Sequence, residues 1–162
     1  MLIRMRLAVL LFLIFSFKCM GQIPSYDWSI SVGGASYDII RNTTTDNLGN
    51  VYNTGYFRTF ADFDPGNSSN LLSSNGANDA FVQKLTENGD LIWARSFGGN
   101  LQDEAKDIFV DPLGNVFVTG EYNGTIDIDP GPGTTMLTSN GGSDIFIQKL
   151  DSNGNFVWGK SI

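Results

Sequence analysis

The chain repeats itself with a fixed period of 65 residues, and residues 28–97 align with residues 93–162 without a gap. The two copies share their aromatic, glycine and turn positions. Trp28 matches Trp93 and Trp158, Gly33-Gly34 matches Gly98-Gly99, residues 48–51 match residues 113–116, and residues 62–66 match residues 127–131. A fixed period means that one supersecondary unit is used repeatedly and that each copy packs on the next. This period constrains the architecture more strongly than any single residue does.

Each copy carries the pattern of a small antiparallel sheet. Apolar residues alternate or form short blocks, which is typical of strands. The second copy contains four such segments: residues 105–110, 116–122, 144–150 and 156–162. The Asn-Gly pairs at 88–89 and 153–154 suit tight hairpins, because both residues adopt left-handed backbone angles at low cost. Four antiparallel strands per unit, repeated radially, describe a β-propeller blade. The 65-residue repeat is longer than the 40 to 50 residues common in propeller repeats. The additional residues lie between the second and third strands, at residues 58–78 and 123–143.

This pattern predicts an all-β fold of consecutive four-stranded antiparallel β-propeller blades. We divide the chain into a lead-in strand over residues 22–35, a first blade over residues 36–99 and a second, truncated blade over residues 102–162. Two blades do not close a ring. We therefore expect an open fragment of a larger propeller, with further blades of the same protein as its neighbours. The alternative is a ring assembled from several short chains.

The N-terminus has the features of a secretory signal peptide over residues 1–21. Arg4 and Arg6 precede an apolar run over residues 7–17, and the small Gly21 suits the cleavage position. The run is shorter than the roughly 20 residues that span a bilayer, so we expect no membrane span in the mature chain. The sequence therefore predicts an extracellular or cell-surface protein. A lipoprotein acylated at Cys19 is the alternative, although Lys18 stands where a small residue is required.

Composition excludes several classes of function. The net charge of −7 and the pI near 4.3 argue against a nucleic-acid partner, because phosphate binding needs clustered Lys and Arg. The chain has no histidine, which excludes Ser-His-Asp catalysis and His-ligated zinc. Any chemistry would have to use carboxylates, Lys, Tyr or a hard metal ion.

A candidate metal site is the Asp-x-Asp-Pro-Gly segment that recurs in each copy. It contains Asp62 and Asp64 in the first copy and Asp127 and Asp129 in the second. In an extended segment the two carboxylates point to the same side and repel each other, and Ca²⁺ would relieve that repulsion. The alternative is a strand that ends in a Pro-Gly turn, where the Asp side chains accept backbone N–H bonds.

The recurring motifs also carry a family resemblance. Asp-x-x-Gly-Asn-Val is followed by Thr-Gly, by Phe-Val/Ile-Gln-Lys-Leu and by Asn-Gly, and the first copy ends in Trp-Ala-Arg-Ser-Phe-Gly-Gly. This succession resembles the SBBP repeat, a β-propeller repeat of many large secreted bacterial proteins, over nearly everything after residue 26. The resemblance implies a propeller blade and no catalytic residues. The first copy departs from the pattern, since Thr43 replaces Ile108 and Asn53 replaces Val118.

Together these features predict a secreted, non-catalytic repeat scaffold that displays loops for binding or adhesion at the cell surface. The expected ligand is a protein or a glycan, and the only cofactor we expect is Ca²⁺. One alternative is the N-terminal propeller of a larger secreted hydrolase or lyase acting on polysaccharide. Another is a passive structural spacer.

Overall fold

The computed structural model describes residues 27–162, so the predicted signal peptide and Cys19 lie outside the described residues. The described part contains eleven β-strands and no helix. The strands are β1 Gly33–Gly34, β2 Asp38–Thr45, β3 Val51–Phe57, β4 Phe60–Asp62, β5 Leu71–Ser73, β6 Asp79–Leu85, β7 Leu91–Gly99, β8 Glu104–Val110, β9 Val116–Asp127, β10 Met136–Leu150 and β11 Phe156–Ser161. Within this range no helix is long and apolar enough to cross a bilayer.

The two repeats form sheets with the same strand order. In the first repeat the antiparallel order is β2-β3-β6-β7, and in the second it is β8-β9-β10-β11. This confirms the prediction of an all-β fold built from consecutive four-stranded blades. The two sheets form an open pair, as a fragment of a propeller would.

Aspartate-centred turns join neighbouring strands at three places, and two of them, at Asp46 and Asp111, occupy matching positions in the two repeats. Asp111 Oδ1 accepts hydrogen bonds from the backbone N–H groups of Leu113 and Asn115, both at 2.9 Å. Asn115 also donates its side-chain amide to Asp111 Oδ2 at 2.7 Å, and these bonds lower the pKa of Asp111. Gly114 takes a φ of 81°, which glycine adopts without steric cost. Asp46 and Asp151 make the equivalent contacts, so the turn chemistry sets where each strand ends.

In each repeat, the additional segment between the second and third strands forms a hairpin. This hairpin pairs with the last strand before that repeat. The end of β7 pairs with the hairpin of the second repeat, Gly98 with Asp127 and Gly99 with Ile126. β1 pairs with the first hairpin at the positions 65 residues earlier, through β4. A Cβ atom on Gly99 would lie 2.2 Å from the carbonyl oxygen of Thr125, so only glycine permits this approach. The hairpin therefore joins each repeat to the one before it.

The hairpins of the two repeats differ in continuity. In the second repeat the hairpin continues β9 and β10, whereas in the first it forms the separate short strands β4 and β5. The break falls at Thr59, which has a φ of 66°, while the matching Gly124 has a φ of 67°. A β-branched residue is strained at this angle, which accounts for the interruption.

The larger hydrophobic core lies between the two sheets. Its buried members include Tyr52, Ala80, Val82, Trp93 and Phe97 from the first repeat and Ala105, Ile108, Val118, Ile126 and Phe146 from the second. Trp93 packs edge-on against Tyr52 at 6.2 Å and donates its indole N–H to the carbonyl oxygen of Ser152 at 3.2 Å. Burying one large apolar side chain contributes about 1.5–3 kcal/mol. The blades are therefore held together mainly by this shared core.

The lead-in segment is less regular than the predicted strand over residues 22–35. Of its described residues, only Gly33–Gly34 form a strand. The matching residues of the first repeat, 93–97, are extended because they pair with β6. Strand conformation at this position depends on a neighbouring sheet, which the local sequence does not reveal.

Candidate binding cleft between the repeats

The Asp-x-Asp-Pro-Gly segments form tight, internally bonded loops. Asp62 Oδ1 accepts the backbone N–H groups of Asp64 at 3.0 Å and Asn70 at 2.8 Å, and these bonds lower the pKa of Asp62. Asp64 Oδ1 accepts the N–H of Gly66 at 2.8 Å. The first aspartate thus joins the two ends of the loop, and the second forms the Pro-Gly turn.

The second repeat reproduces this loop. Asp127 Oδ1 accepts the N–H groups of Asp129 at 3.1 Å and Thr135 at 2.9 Å, and Asp129 Oδ1 accepts the N–H of Gly131 at 2.8 Å. The four aspartates therefore act as turn residues in both repeats. This role as hydrogen-bond acceptors in a turn is the alternative to calcium binding that the sequence suggests.

In the first repeat, the predicted calcium ligands share a polar cleft with a further carboxylate. Asp62 and Asp64 line a space of about 330 Å³ together with Asp38. Asp38 Oδ1 is buried and has no hydrogen-bond partner among the described residues. Over residues 27–162 no group of three or more His, Cys, Asp or Glu side chains is placed to hold a metal ion. Calcium binding at Asp62, Asp64, Asp127 and Asp129 stays a prediction.

Two further carboxylates are fully buried near the junction of the blades. Asp103 Oδ2 accepts the N–H of Gly99 at 2.7 Å, and Asp103 Oδ1 accepts that of Asn123 at 3.1 Å. Asp79 Oδ2 accepts the N–H of Asn75 at 3.0 Å, whereas its Oδ1 has no partner in the described part of the chain. Burial, and secondarily the charge of Asp103, raise the pKa of Asp79 to about 6.

The backbone of Gly98 lies directly against the Asp79 carboxyl group, because a Cβ atom on Gly98 would be 2.6 Å from Asp79 Cγ. This packing leaves no room for a substrate beside the carboxylate. Asp79 and Asp103 are therefore structural groups of the blade junction.

Residues of both repeats line a cleft of about 750 Å³ beside β7. We call it the junction cleft. Its walls are the first hairpin, the middle of β7, the Pro-Gly turn of the second repeat and the turn before β11. Lining residues include Asn70, Leu71, Arg95, Asp129, Asn155 and Phe156. Leu71 is 65% exposed. The mixed lining offers both apolar contact and hydrogen bonding to a ligand.

Arg95 fixes the floor of the junction cleft. Its guanidinium group lies over the ring of Trp93, 5.8 Å from the ring centroid. It donates hydrogen bonds to the carbonyl oxygens of Gly154 at 3.2 Å and Asn153 at 3.3 Å. The cleft is therefore pre-ordered, which reduces the entropy lost on binding. Sequence reasoning missed it because its walls come from segments far apart in the chain. The available signal was the 65-residue period, which implies that Arg95 near the end of the first repeat lies close to the Asp-x-Asp-Pro-Gly loop of the second.

Comparisons with known proteins agree with this architecture. Residues 92–126, which run from β7 into β9, match the family model of the SBBP beta-propeller repeat. An uncharacterized WD repeat-containing protein of Acanthamoeba polyphaga mimivirus is 29% identical over 167 residues, which cover 85% of this chain. The matched region is 12% of the length of that relative. The family match over residues 92–126, together with two sheets of the same strand order, confirms the resemblance to the SBBP β-propeller repeat.

Proposed function

We propose that the chain is a secreted, non-catalytic scaffold that binds a protein or glycan ligand at the cell surface through the junction cleft. The observation that carries this proposal is the cleft itself, which both repeats build. Its rim is ordered by the aspartate turns and its floor by Arg95. In a longer array a related cleft would recur at each repeat boundary, with Lys160 at the position of Arg95, so several weak contacts could act together on an extended ligand.

Binding fits the lining of this cleft better than catalysis does. Among the described residues that line it, Asp129 is the one carboxylate. A glycosidase uses two carboxyl groups about 5 to 10 Å apart on either side of the bond that it cleaves. The proposal that the chain is the propeller part of a larger hydrolase or lyase therefore needs acid and base groups outside this cleft. The proposal of a passive spacer needs no ligand at all.

The test is a binding measurement on the purified chain. The immobilised protein is exposed to a panel of defined polysaccharides and to whole cells, and bound ligand and soluble cleavage products are both measured. Leu71→Arg places a long charged side chain in the cleft, and we expect it to weaken binding by about tenfold or more. Leu113→Arg is the matched control, because Leu113 is 84% exposed in the turn between β8 and β9, away from the cleft.

The outcomes separate the three proposals. Binding that depends on Leu71 and not on Leu113 supports the scaffold. Release of shortened sugars would support the hydrolase or lyase. No binding to any glycan or cell would favour the spacer, and equal loss of binding with both variants would contradict the use of this cleft.

A further inference from the structure

The hairpin of the first repeat ends in a strand that is paired on one side only. β5 lies at the edge of the three-stranded sheet, whose order is β1-β4-β5. On one side it pairs with β4 in antiparallel register, with Leu72 opposite Ala61. No strand in the part of the chain that the structure describes pairs with its other side.

The register shows which backbone groups face that open side. Phe63 donates its N–H to the carbonyl oxygen of Asn70 at 3.0 Å, so this pair is a hydrogen-bonded one. In an antiparallel ladder such pairs alternate with pairs whose N–H and C=O groups point away from each other. The N–H and C=O groups of Leu71 and Ser73 therefore point away from β4. Over residues 27–162 none of these four groups has a hydrogen-bond partner.

β5 lacks the features that usually protect an edge strand. Charged side chains, proline and bulges block pairing at an edge, whereas β5 reads Leu-Leu-Ser and pairs with β4 without a register shift. Leu71 and Ser73 are exposed, while Leu72 packs against the smaller core of the first repeat. The strand is therefore held from one side and can accept a further strand on the other.

The open edge borders the junction cleft, because Asn70, Leu71 and Leu72 line that cleft. Another wall is formed by residues 130–133, which read Pro-Gly-Pro-Gly. This wall has no side chain larger than a proline ring, and glycine allows another backbone to approach closely. The cleft therefore has room for a polypeptide backbone beside β5.

The charges of the cleft indicate what such a polypeptide should carry. An arginine side chain has five N–H donors, and Arg95 uses three of them on backbone carbonyl oxygens. Among the described residues, no carboxylate forms an ion pair with Arg95. An acidic side chain would complement this charge. Asp129 is the other charged residue of the lining and disfavours a second acidic group.

We propose that the junction cleft binds an extended protein segment by strand addition to β5, with one acidic side chain of that segment beside Arg95. This inference rests on the proposed scaffold role and deepens it, because it names a peptide and not a glycan as the ligand. The backbone of the segment pairs with the open N–H and C=O groups of Leu71 and Ser73. With only four such groups, each site binds modestly, and affinity grows when several sites act together.

The first test measures binding of a synthetic peptide to the purified chain by isothermal titration calorimetry. The peptide alternates valine and threonine, has one central glutamate and has blocked termini. The same peptide N-methylated at every residue has no backbone donors, and it should bind at least about tenfold more weakly. A peptide with lysine in place of glutamate should bind about fivefold more weakly or less. Equal affinity of the parent and N-methylated peptides would overturn strand addition.

The second test removes one open donor from the protein. Ser73→Pro deletes the N–H of Ser73, and an edge strand tolerates proline where its N–H is unpaired. We expect the peptide to bind about five- to tenfold more weakly to this variant. Thr138→Pro is the matched control, since Thr138 is the corresponding residue of the second hairpin and does not line the cleft. Equal losses with both variants, or no loss with Ser73→Pro, would overturn the assignment to β5.

Amide hydrogen exchange of the unmodified chain gives a readout that does not depend on any variant. The amides of Leu71 and Ser73 should exchange more slowly when the peptide is bound. The amide of Leu72 faces β4 and should change little. Protection confined to another strand would contradict the proposal.

The outcomes also separate this inference from the scaffold role. A chain that binds polysaccharide or cells through Leu71 but does not bind the peptide would overturn strand addition and leave the scaffold role intact. Equal peptide binding by the parent and by Leu71→Arg would show that the peptide does not enter the junction cleft, and would overturn the proposal.

Discussion

Replacing Asp79 by Asn tests the role of the buried carboxylate near the blade junction. The folded protein holds the pKa of Asp79 at about 6, against an ordinary value of 3.8, chiefly because burial disfavours the charged form. The folded state therefore binds more protons than the unfolded state between about pH 4 and pH 6. Through this group, the free energy of unfolding falls as the pH rises across that window.

The size of this effect follows from the shift in pKa. A difference of about two pKa units corresponds to at most about 3 kcal/mol at neutral pH. Solvent screening reduces this value, so we expect Asp79→Asn to stabilise the protein by about 1 to 3 kcal/mol at pH 7. The asparagine side chain keeps an oxygen that can accept the N–H of Asn75. For a chain of this length, such a gain raises the melting temperature by roughly 2–10 °C.

The assay is thermal and urea unfolding of both proteins at intervals between pH 4 and pH 7.5. The parent should lose stability relative to the variant as the pH rises from 4 to 6, and the difference should be constant above pH 7. Asp144→Asn is the matched control, because Asp144 accepts the N–H of Asn140 at 2.9 Å as Asp79 accepts that of Asn75, but it is only partly buried. Equal effects of the two substitutions, or a destabilised Asp79→Asn protein at pH 7, would refute the argument from burial.

Three further predictions concern the hairpin and its aspartates. Thr59→Gly should stabilise the protein by about 1 kcal/mol in urea unfolding, because it relieves the left-handed strain that Gly124 avoids in the second repeat. Gly99→Ala should destabilise the blade junction by more than about 3 kcal/mol, since its methyl group would overlap a backbone carbonyl group of the hairpin. Millimolar Ca²⁺ should raise the melting temperature more than Mg²⁺ at equal ionic strength. Asp62→Asn with Asp64→Asn should remove part of that difference.

Each of these predictions has an outcome that contradicts it. An unchanged or lower stability of Thr59→Gly would show that the backbone at residue 59 is not strained. A Gly99→Ala protein with parental stability would mean that the close approach of β7 to the hairpin is not required. Equal shifts with Ca²⁺ and Mg²⁺ would leave the aspartates as turn residues only.

The strands and turns could be predicted from sequence because their causes are local. Asp111, Gly114 and the apolar alternation that follows them specify a turn and a strand without reference to the rest of the chain. The 65-residue period then extends the assignment to the other repeat. The sequence also places the additional segment between the second and third strands of each repeat. It does not reveal that the segment of the second repeat pairs with β7, because that pairing depends on how the two repeats pack.

The burial of Asp79 and the shape of the junction cleft also depend on segments that are distant in the sequence. Asp79 and Asp144 have the same local sequence setting and accept the same backbone bond, yet only Asp79 is fully buried. Asp79 is covered by the backbone of Gly98, which lies at the end of β7, about 20 residues away in the chain. Likewise, the residues of the junction cleft come from segments on both sides of a repeat boundary. Pattern analysis within one repeat does not bring them together.

The pairing of β7 with the following hairpin has a consequence for how such a chain lengthens during evolution. The lead-in segment and the first repeat each end with a Gly-Gly tail, and each tail pairs with the hairpin of the repeat that follows it. A duplication of 65 residues that starts at any point within the unit therefore restores a tail beside a hairpin at every boundary. New joints need no new side chains, so arrays of different length are accessible by simple unequal recombination, and selection can act on length itself.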